Sequence, residues 1–197
     1  MKRYGCLYKV AGFLFLVIFV KSCLFSVYYI PSSSMLPTLK PGNYVLVSKF
    51  AYNLRTPIYI PFTDMQVPFL GTKGFLKVHH GDIAVFNKLD STAKNSFVYQ
   101  KILIKRVGGV PGDFIRKQAN ITIVNSQSFV IPWYYEQLLQ TGLPDSTVDV
   151  IPSKYYFMAG DNRTQSFDSR YFGLVPEENL IGRAEAVLWP WPPRWIK

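Results

Sequence analysis

The chain has 197 residues, 49% of them hydrophobic and 17% charged, and carries a net charge of +10. That length holds one domain plus a short extra segment, and that composition argues against both a disordered chain and a multidomain enzyme. Lys2, Arg3, Lys9 and Lys21 sit at the N-terminus, leaving 18 Lys and Arg against 12 Asp and Glu from Pro31 onward, a balance of +6. No basic run is interleaved with aromatics as a nucleic-acid groove requires, so nucleic acid is not an expected partner and a solvated basic surface beside a membrane is the better reading.

The first element in chain order is apolar. Val10 to Ile30 is a 21-residue stretch whose only charge is Lys21, long enough to cross a bilayer as a helix. Lys9 and Lys21 bracket 11 uncharged residues, and both ammonium groups reach opposite interfaces by snorkelling. Tyr28 and Tyr29 then fall near the outer interface, and the basic residues before the run keep the N-terminus cytoplasmic and export residue 31 onward. A cleaved signal peptide also starts basic and apolar, but no small-x-small site follows the core cleanly, and Lys21 is a poor neighbour for a lipoprotein site at Ser22-Cys23. An uncleaved anchor over residues 1–30 is the expectation. Cys6 and Cys23 both lie in this segment, about 26 Å apart on one helix at ~1.5 Å per residue, and cannot bridge each other.

Beyond it, 14 prolines and 13 glycines across the chain punctuate short β-rich runs, which reads as mainly β. Strands are predicted at Tyr44 to Phe50, Asp82 to Phe86, Val98 to Val107, Phe114 to Lys117, Ile121 to Val124, Phe129 to Ile131, Tyr155 to Ala159 and Ile181 to Leu188. A hairpin is predicted over Ile121 to Ile131, with its turn in Asn125-Ser126-Gln127-Ser128. Only Tyr134 to Gln140 reads as helical. The end of the chain, Leu188-Trp-Pro-Trp-Pro-Pro-Arg-Trp195, fits interfacial membrane contact and a proline-constrained packed tail equally well, and recognition by a protein that binds proline-rich segments is a distant third.

The chemistry centres on a serine with no histidine to serve it. Ser34 lies in a stretch held rigid by Pro31 and Pro37, directly after the apolar segment. A serine hydroxyl needs a base, and the only histidines, His79 and His80, are adjacent in a turn-like setting before Gly81-Asp82. Lysine can take the role where burial disfavours the ammonium, a shift from about 10.4 to near neutrality worth about 4 kcal/mol. Lys105 sits in an apolar strand whose alternation puts Leu103, Lys105 and Val107 on one face and Ile102, Ile104 and Arg106 on the other. An edge-strand lysine that snorkels to solvent fits that strand equally well. Ser91-Thr-Ala-Lys94 fits an S-x-x-K pattern, but its companion motifs are missing and the segment reads as a polar loop.

Four segments in order decide between these readings. Pro31-Ser-Ser-Ser-Met-Leu-Pro-Thr-Leu39, Pro41-Gly-Asn-Tyr-Val-Leu-Val-Ser-Lys-Phe50, Lys105-Arg-Val-Gly-Gly-Val-Pro-Gly-Asp113 and Gly160-Asp-Asn-Arg-Thr-Gln-Ser-Phe-Asp-Ser-Arg-Tyr-Phe-Gly-Leu-Val-Pro176 together resemble the bacterial type I signal peptidases, serine proteases with a Ser/Lys dyad. The resemblance implies Ser34 as nucleophile, Lys105 as general base, the Ser34 amide and Ser32 hydroxyl as the oxyanion hole, Ser166 as the residue that orients the lysine, and Asp168 and Arg170 as structural support. Asp161 and Asp113, each after a glycine suited to a tight turn, are expected to cap nearby backbone amides.

The resemblance also implies a single transmembrane helix ahead of an exported, antiparallel, β-barrel-like catalytic domain over residues 31–197. The 46 residues from 114 to 159 leave room only for a reduced accessory β region. Substrates would be preprotein signal peptides, docked as an extended strand and cut after small-x-small sites at the outer face of a bacterial inner membrane. Membrane lipids are the other expected partner, and no metal or cofactor is called for. Thr164-Gln165 departs from the family's usual acidic and amide pair, which keeps a dedicated peptidase of one secretion or conjugation machinery open as the alternative. A catalytically silent tethered domain is disfavoured by the retained Ser34, Lys105 and Ser166. A self-cleaving repressor is disfavoured by an apolar segment where a DNA-binding domain would be.

Overall fold

The computed structural model describes residues 8–10, 12–13, 24–54, 72–88, 101–118, 121–125, 127–130 and 148–196. Among them are fourteen strands, numbered β1 to β14 in chain order, a short helix, α1, at Ser169–Phe172, a 3-10 turn at Glu177–Asn179, and helical residues at 8–10 and 12–13. The architecture is mainly antiparallel β, as the sequence leads one to expect.

The principal sheet runs β1 (Phe25–Tyr29), β2 (Tyr44–Ser48), β13 (Leu180–Trp189), β5 (Ile83–Lys88), β6 (Lys101–Gly109), β11 (Tyr155–Ala159) and β12 (Val175–Pro176), with β14 (Arg194–Trp195) also paired to β13. β5 lies at its centre and reads Ile-Ala-Val-Phe without a polar break because both of its faces are covered. Ile83 and Val85 join one apolar cluster with Val45, Val47 and Val187. Ala84 and Phe86 join a second, on the opposite face, with Val107, Met158 and Leu180. Alternation along the strand sends consecutive side chains to opposite sides, and burying a side chain such as Phe86 stabilises the fold by roughly 2–3 kcal/mol.

Two features of this sheet position the site. The β5–β6 ladder sets Ala84 opposite Lys105 and Ile83 opposite Arg106. β11 pairs with β6 only from Arg106 to Gly109, so the outer edge of Lys101 to Lys105 has no partner strand among the described residues. The predicted alternation holds: Lys105 and Val107 are buried and Ile104 packs on the opposite cluster.

A second sheet, β10-β7-β8-β9, is built from β7 (Phe114–Gln118), β8 (Ile121–Val124), β9 (Gln127–Val130) and β10 (Val148–Val150). The predicted hairpin is present, with Val124 opposite Gln127. Asn125 takes the left-handed conformation of its turn at φ 50°, which asparagine tolerates better than most side chains. This accessory sheet ends at Val150. Tyr155–Ala159, expected within the accessory region, belongs to the principal sheet instead: it pairs with β6, Phe157 opposite Gly109 and Met158 opposite Val107, and its residues from Tyr156 to Ala159 are all buried. A two-stranded ribbon, β3 (Asn53–Leu54) with β4 (Thr72–Lys73), completes the strands.

The N-terminal expectation needs correction at its end. Phe25–Tyr29 is β1, paired along its length with β2 from Phe25 opposite Ser48 to Tyr29 opposite Tyr44, rather than the outer end of a helical span. Phe-Ser-Val-Tyr-Tyr is rich in aromatic and β-branched residues, and pairing to β2 satisfies its backbone hydrogen bonds. Among the described residues no helix is long and apolar enough to cross a membrane. The predicted helix at 134–140 and the S-x-x-K segment at 91–94 lie outside the described residues.

Candidate active site

Ser34 is carried on a loop closed at its base and plugged into the core. Ile30 N donates to Asn43 O and Gly42 N to Ile30 O, both at 2.9 Å, which closes the loop behind Pro31. Met35 and Leu39 are fully buried on the same cluster as Val45, joined by a Leu39 N to Met35 O hydrogen bond of 2.9 Å. Two apolar anchors one helical turn apart thus fix the backbone beside Ser34.

Lys105 reaches this loop from β6. Its Nζ is hydrogen-bonded to Ser34 Oγ at 2.5 Å, with Lys105 3% and Ser34 7% exposed. The snorkelling alternative is therefore wrong for this lysine: its face of β6 points inward. Ser32 Oγ lies 3.3 Å from Ser34 Oγ, and no backbone acceptor takes up the Ser34 amide among the described residues. His79 and His80 stay in the exposed turn, His80 Nε2 resting 3.1 Å from Asp113. Asp113 fulfils the expected cap, its Oδ2 accepting from Val110 N at 2.7 Å beside Gly112 at φ 94°.

The segment from Gly160 to Arg170 surrounds the pair. A Cβ on Gly160 would overlap the Ser166 hydroxyl and come within 2.6 Å of the Ser34 carbonyl oxygen, so glycine is needed here for close approach rather than for turn geometry. Ser166 is fully buried and its hydroxyl has no hydrogen-bond partner among the described residues. Behind it, Arg170 Nε and Nη2 donate to the two carboxylate oxygens of Asp168 at 2.8 and 2.9 Å, both side chains 0% exposed. The same pair holds backbone: Gly160 N donates to Asp168 Oδ2 at 2.8 Å, and Arg170 Nη2 to Ser166 O at 3.2 Å. A buried ion pair with its spare valences used in this way supports geometry more than net stability.

Asp161 behaves differently from expectation. Its carboxylate accepts from side chains on two other segments: Arg106 Nε at 2.7 Å and Nη2 at 2.8 Å, and Thr38 Oγ1 at 2.5 Å. Burial alone would raise this carboxyl, but the Arg106 and Thr38 hydrogen bonds, with the Arg106 charge, outweigh it and hold Asp161 below its ordinary value. Arg106 and Thr38 were not singled out from sequence, although Arg106 follows Lys105 on the opposite face of the strand. Asn162 and Gln165 were also missed as fasteners. Asn162 N donates to Ser34 O and Asn162 Nδ2 to Ser33 O, both at 3.1 Å, while Ser33 Oγ donates to Gln165 Oε1 at 3.0 Å.

Ser34 and Lys105 open onto a cleft of about 600 Å³ whose lining includes Tyr28, Ile30, Ser32, Leu103, Ile104 and Gln165. Among the described residues, no three His, Cys, Asp or Glu side chains gather closely enough to hold a metal ion. A shielded serine hydroxyl bonded to a buried amine, beside a strand edge unpaired among the described residues, suits attack on the carbonyl of an extended peptide. Fold and site together are those of a β-sheet serine endopeptidase.

The family follows from comparison with known proteins. Residues 4–189 match the family model described as signal peptidase, peptidase S26, and the chain belongs to that family. Signal peptidase I of Pseudomonas fluorescens is 33% identical over 215 residues, covering 91% of this chain and 70% of the relative. Signal peptidase I V of Bacillus subtilis is 32% identical over 177 residues, covering 85% of this chain and 88% of the relative. A crystal structure of a signal peptidase I from Enterococcus faecalis overlaps 54% of this chain and 96% of its own, at 23% identity and a TM-score of 0.32.

Proposed function

We infer that the chain is a signal peptidase I, an endopeptidase that removes N-terminal signal peptides from preproteins with Ser34 as nucleophile and Lys105 as general base. The observation that carries this reading is the 2.5 Å hydrogen bond between Lys105 Nζ and Ser34 Oγ at a site buried from water. Ser34 Oγ attacks the scissile carbonyl while the neutral Lys105 amine takes its proton. The developing oxyanion is met by the Ser34 amide and the Ser32 hydroxyl, donors of a kind whose removal costs about 2.7 to 4 kcal/mol each. The C–N bond breaks as the Lys105 ammonium returns the proton to the leaving amine. Water then attacks the Ser34 ester, losing its proton to Lys105, and the acid product leaves as Ser34 regains its hydrogen.

An extended substrate pairs along the outer edge of β6 with main-chain hydrogen bonds, and membership of the signal peptidase family supports small residues at the first and third positions before the cut. The enzyme works at a membrane, anchored through its apolar N-terminal residues ahead of β1, with the catalytic sheet on the outer face and the N-terminus in the cytoplasm. The test is cleavage of a preprotein with an Ala-x-Ala site by the wild type, Ser34→Ala and Lys105→Met in detergent, with thermal melts to confirm folding. Each variant is expected to lose at least about a thousandfold in kcat. Lys105→Arg gives no rescue, since a guanidinium stays charged. Wild-type activity rises with pH as the amine is freed of its proton. Equal processing by all the enzymes, or a rate flat from acid to neutral pH, contradicts the dyad.

A further inference from the structure

The far end of the cleft holds a cation that the reaction does not use. Lys88, the last residue of β5, lines the same cleft as Ser34 and Lys105. Its ammonium lies 4.5 Å from the centroid of the Phe167 ring and 5.3 Å from that of Phe172. The two rings pack edge to face at 5.6 Å, Phe167 stacks on Tyr171 at 5.4 Å, and Phe172 contacts Phe86 at 6.3 Å. Aromatic faces attract a cation by their quadrupole, so this cluster fixes the ammonium at the cleft rim without neutralising it. A carboxylate in that place would have cancelled the charge. None of the residues that line the cleft is acidic, and no carboxylate pairs with Lys88 among the described residues.

The position of the charge sets what it can meet. The β5–β6 ladder puts Ala84 opposite Lys105 and Lys88 opposite Lys101, so Lys88 shares the face of Lys105. It stands about 13 Å further along the sheet at roughly 3.3 Å per residue. An extended peptide has the same rise, so a substrate running along the outer edge of β6 from Ser34 brings a residue about four positions from the scissile bond level with Lys88, across β6 on the same face.

We propose that Lys88, held over Phe167 and Phe172, is a specificity-determining residue that selects substrates with an acidic side chain about four residues from the cleavage site. This deepens the proteolytic reading and rests on it. The charge is open to solvent on one side, so it acts as a half-exposed pair. Its like-charge counterpart, a substrate lysine or arginine at that position, is rejected by the same field.

The test is a peptide series on an Ala-x-Ala parent, with Asp, Ala or Lys placed singly at each position from six before the cut to three after, cleaved by the full chain in detergent. In the wild type, one position about four residues from the cut is expected to show kcat/KM about fivefold higher for Asp than for Ala, and lower again for Lys. Within each variant the same ratio is read: Lys88→Met brings it to about one, Lys88→Glu inverts it, and Lys88→Arg keeps it. Raising the salt concentration shrinks the wild-type ratio. An unchanged ratio in Lys88→Met, with the parent peptide cleaved, overturns this proposal alone. A wild type that cleaves no peptide faster than Ser34→Ala overturns the proteolytic reading and this proposal with it.

Discussion

Arg106 grips both carboxylate oxygens of Asp161, at 2.7 and 2.8 Å, from the position immediately after the buried Lys105. Because neighbouring residues of a strand face opposite sides, the residue that turns Lys105 inward turns Arg106 onto the loop that carries Asp161. The same guanidinium donates to Gly81 O at 2.6 Å, and Thr38 joins the carboxylate from the nucleophile loop. One ionic clamp thus fastens β6, the Ser34 loop and the segment containing Ser166 to each other.

The clamp is expected to be a source of acid sensitivity. Asp161 titrates below its ordinary value of 3.8, so its contribution to stability is complete above that value and is lost as pH falls through the lower folded value. Asp161→Asn should lower stability by about 1–3 kcal/mol at neutral pH and flatten its decline below pH ~4, as followed by urea denaturation at a series of pH values. A variant with the wild-type acid profile would show that the carboxylate is not responsible.

Ser166 separates a catalytic from a packing role. Its hydroxyl is buried without a partner among the described residues, so Ser166→Ala should change stability by no more than about 0.5 kcal/mol, and in the favourable direction, while Ser166→Val overpacks. If the hydroxyl orients Lys105 as the reaction proceeds, kcat falls about tenfold or more in the same alanine variant. Loss of stability with unchanged kcat would assign it to packing instead.

Gly160 is expected to tolerate no side chain. Alanine there collides with Ser166 and with the Ser34 carbonyl, and neither neighbour is free to retreat, one being core and the other backbone. Gly160→Ala should therefore depress kcat far more than KM for a long substrate whose other contacts are intact. Equal kcat in the two proteins would show that the loop shifts without moving the dyad.

Asp168→Ala leaves Arg170 charged and buried, and should destabilise the protein by about 3–5 kcal/mol. Removing both, in Asp168→Ala with Arg170→Met, should recover part of that loss, which a double-mutant cycle measures directly. Full additivity of the two substitutions would deny the pairing.

Much of the site was legible because its chemistry is local. Ser34 between prolines, the Lys105 to Asp113 segment and the Gly160 to Pro176 segment each carry their resemblance over a few residues, whereas the apolar strand around Lys105 alone fitted a snorkelling lysine equally well. The fasteners were not legible. Arg106, Thr38, Asn162 and Gln165 are polar residues of ordinary appearance whose partners in Asp161 and the Ser34 loop lie 55 to 132 positions away. The apolar run before Ile30 misled for a different reason: Phe25–Tyr29 is equally consistent with the end of a helix and with a strand, and periodicity alone cannot separate them over five residues.

From sequence alone came the mainly β fold and, through the resemblance of four segments to the signal peptidases, Ser34 and Lys105 as the candidate dyad; strand alternation by itself fitted a buried and a snorkelling Lys105 equally well. Tertiary structure decided the rest. The register that sets Lys105 opposite Ala84, the short β11 that pairs β6 only from Arg106 to Gly109, the contact at Gly160 and the ring-held Lys88 all depend on which segments become neighbours. That choice is made by the packing of two apolar clusters on opposite faces of one sheet, a property of the whole chain rather than of any stretch of it.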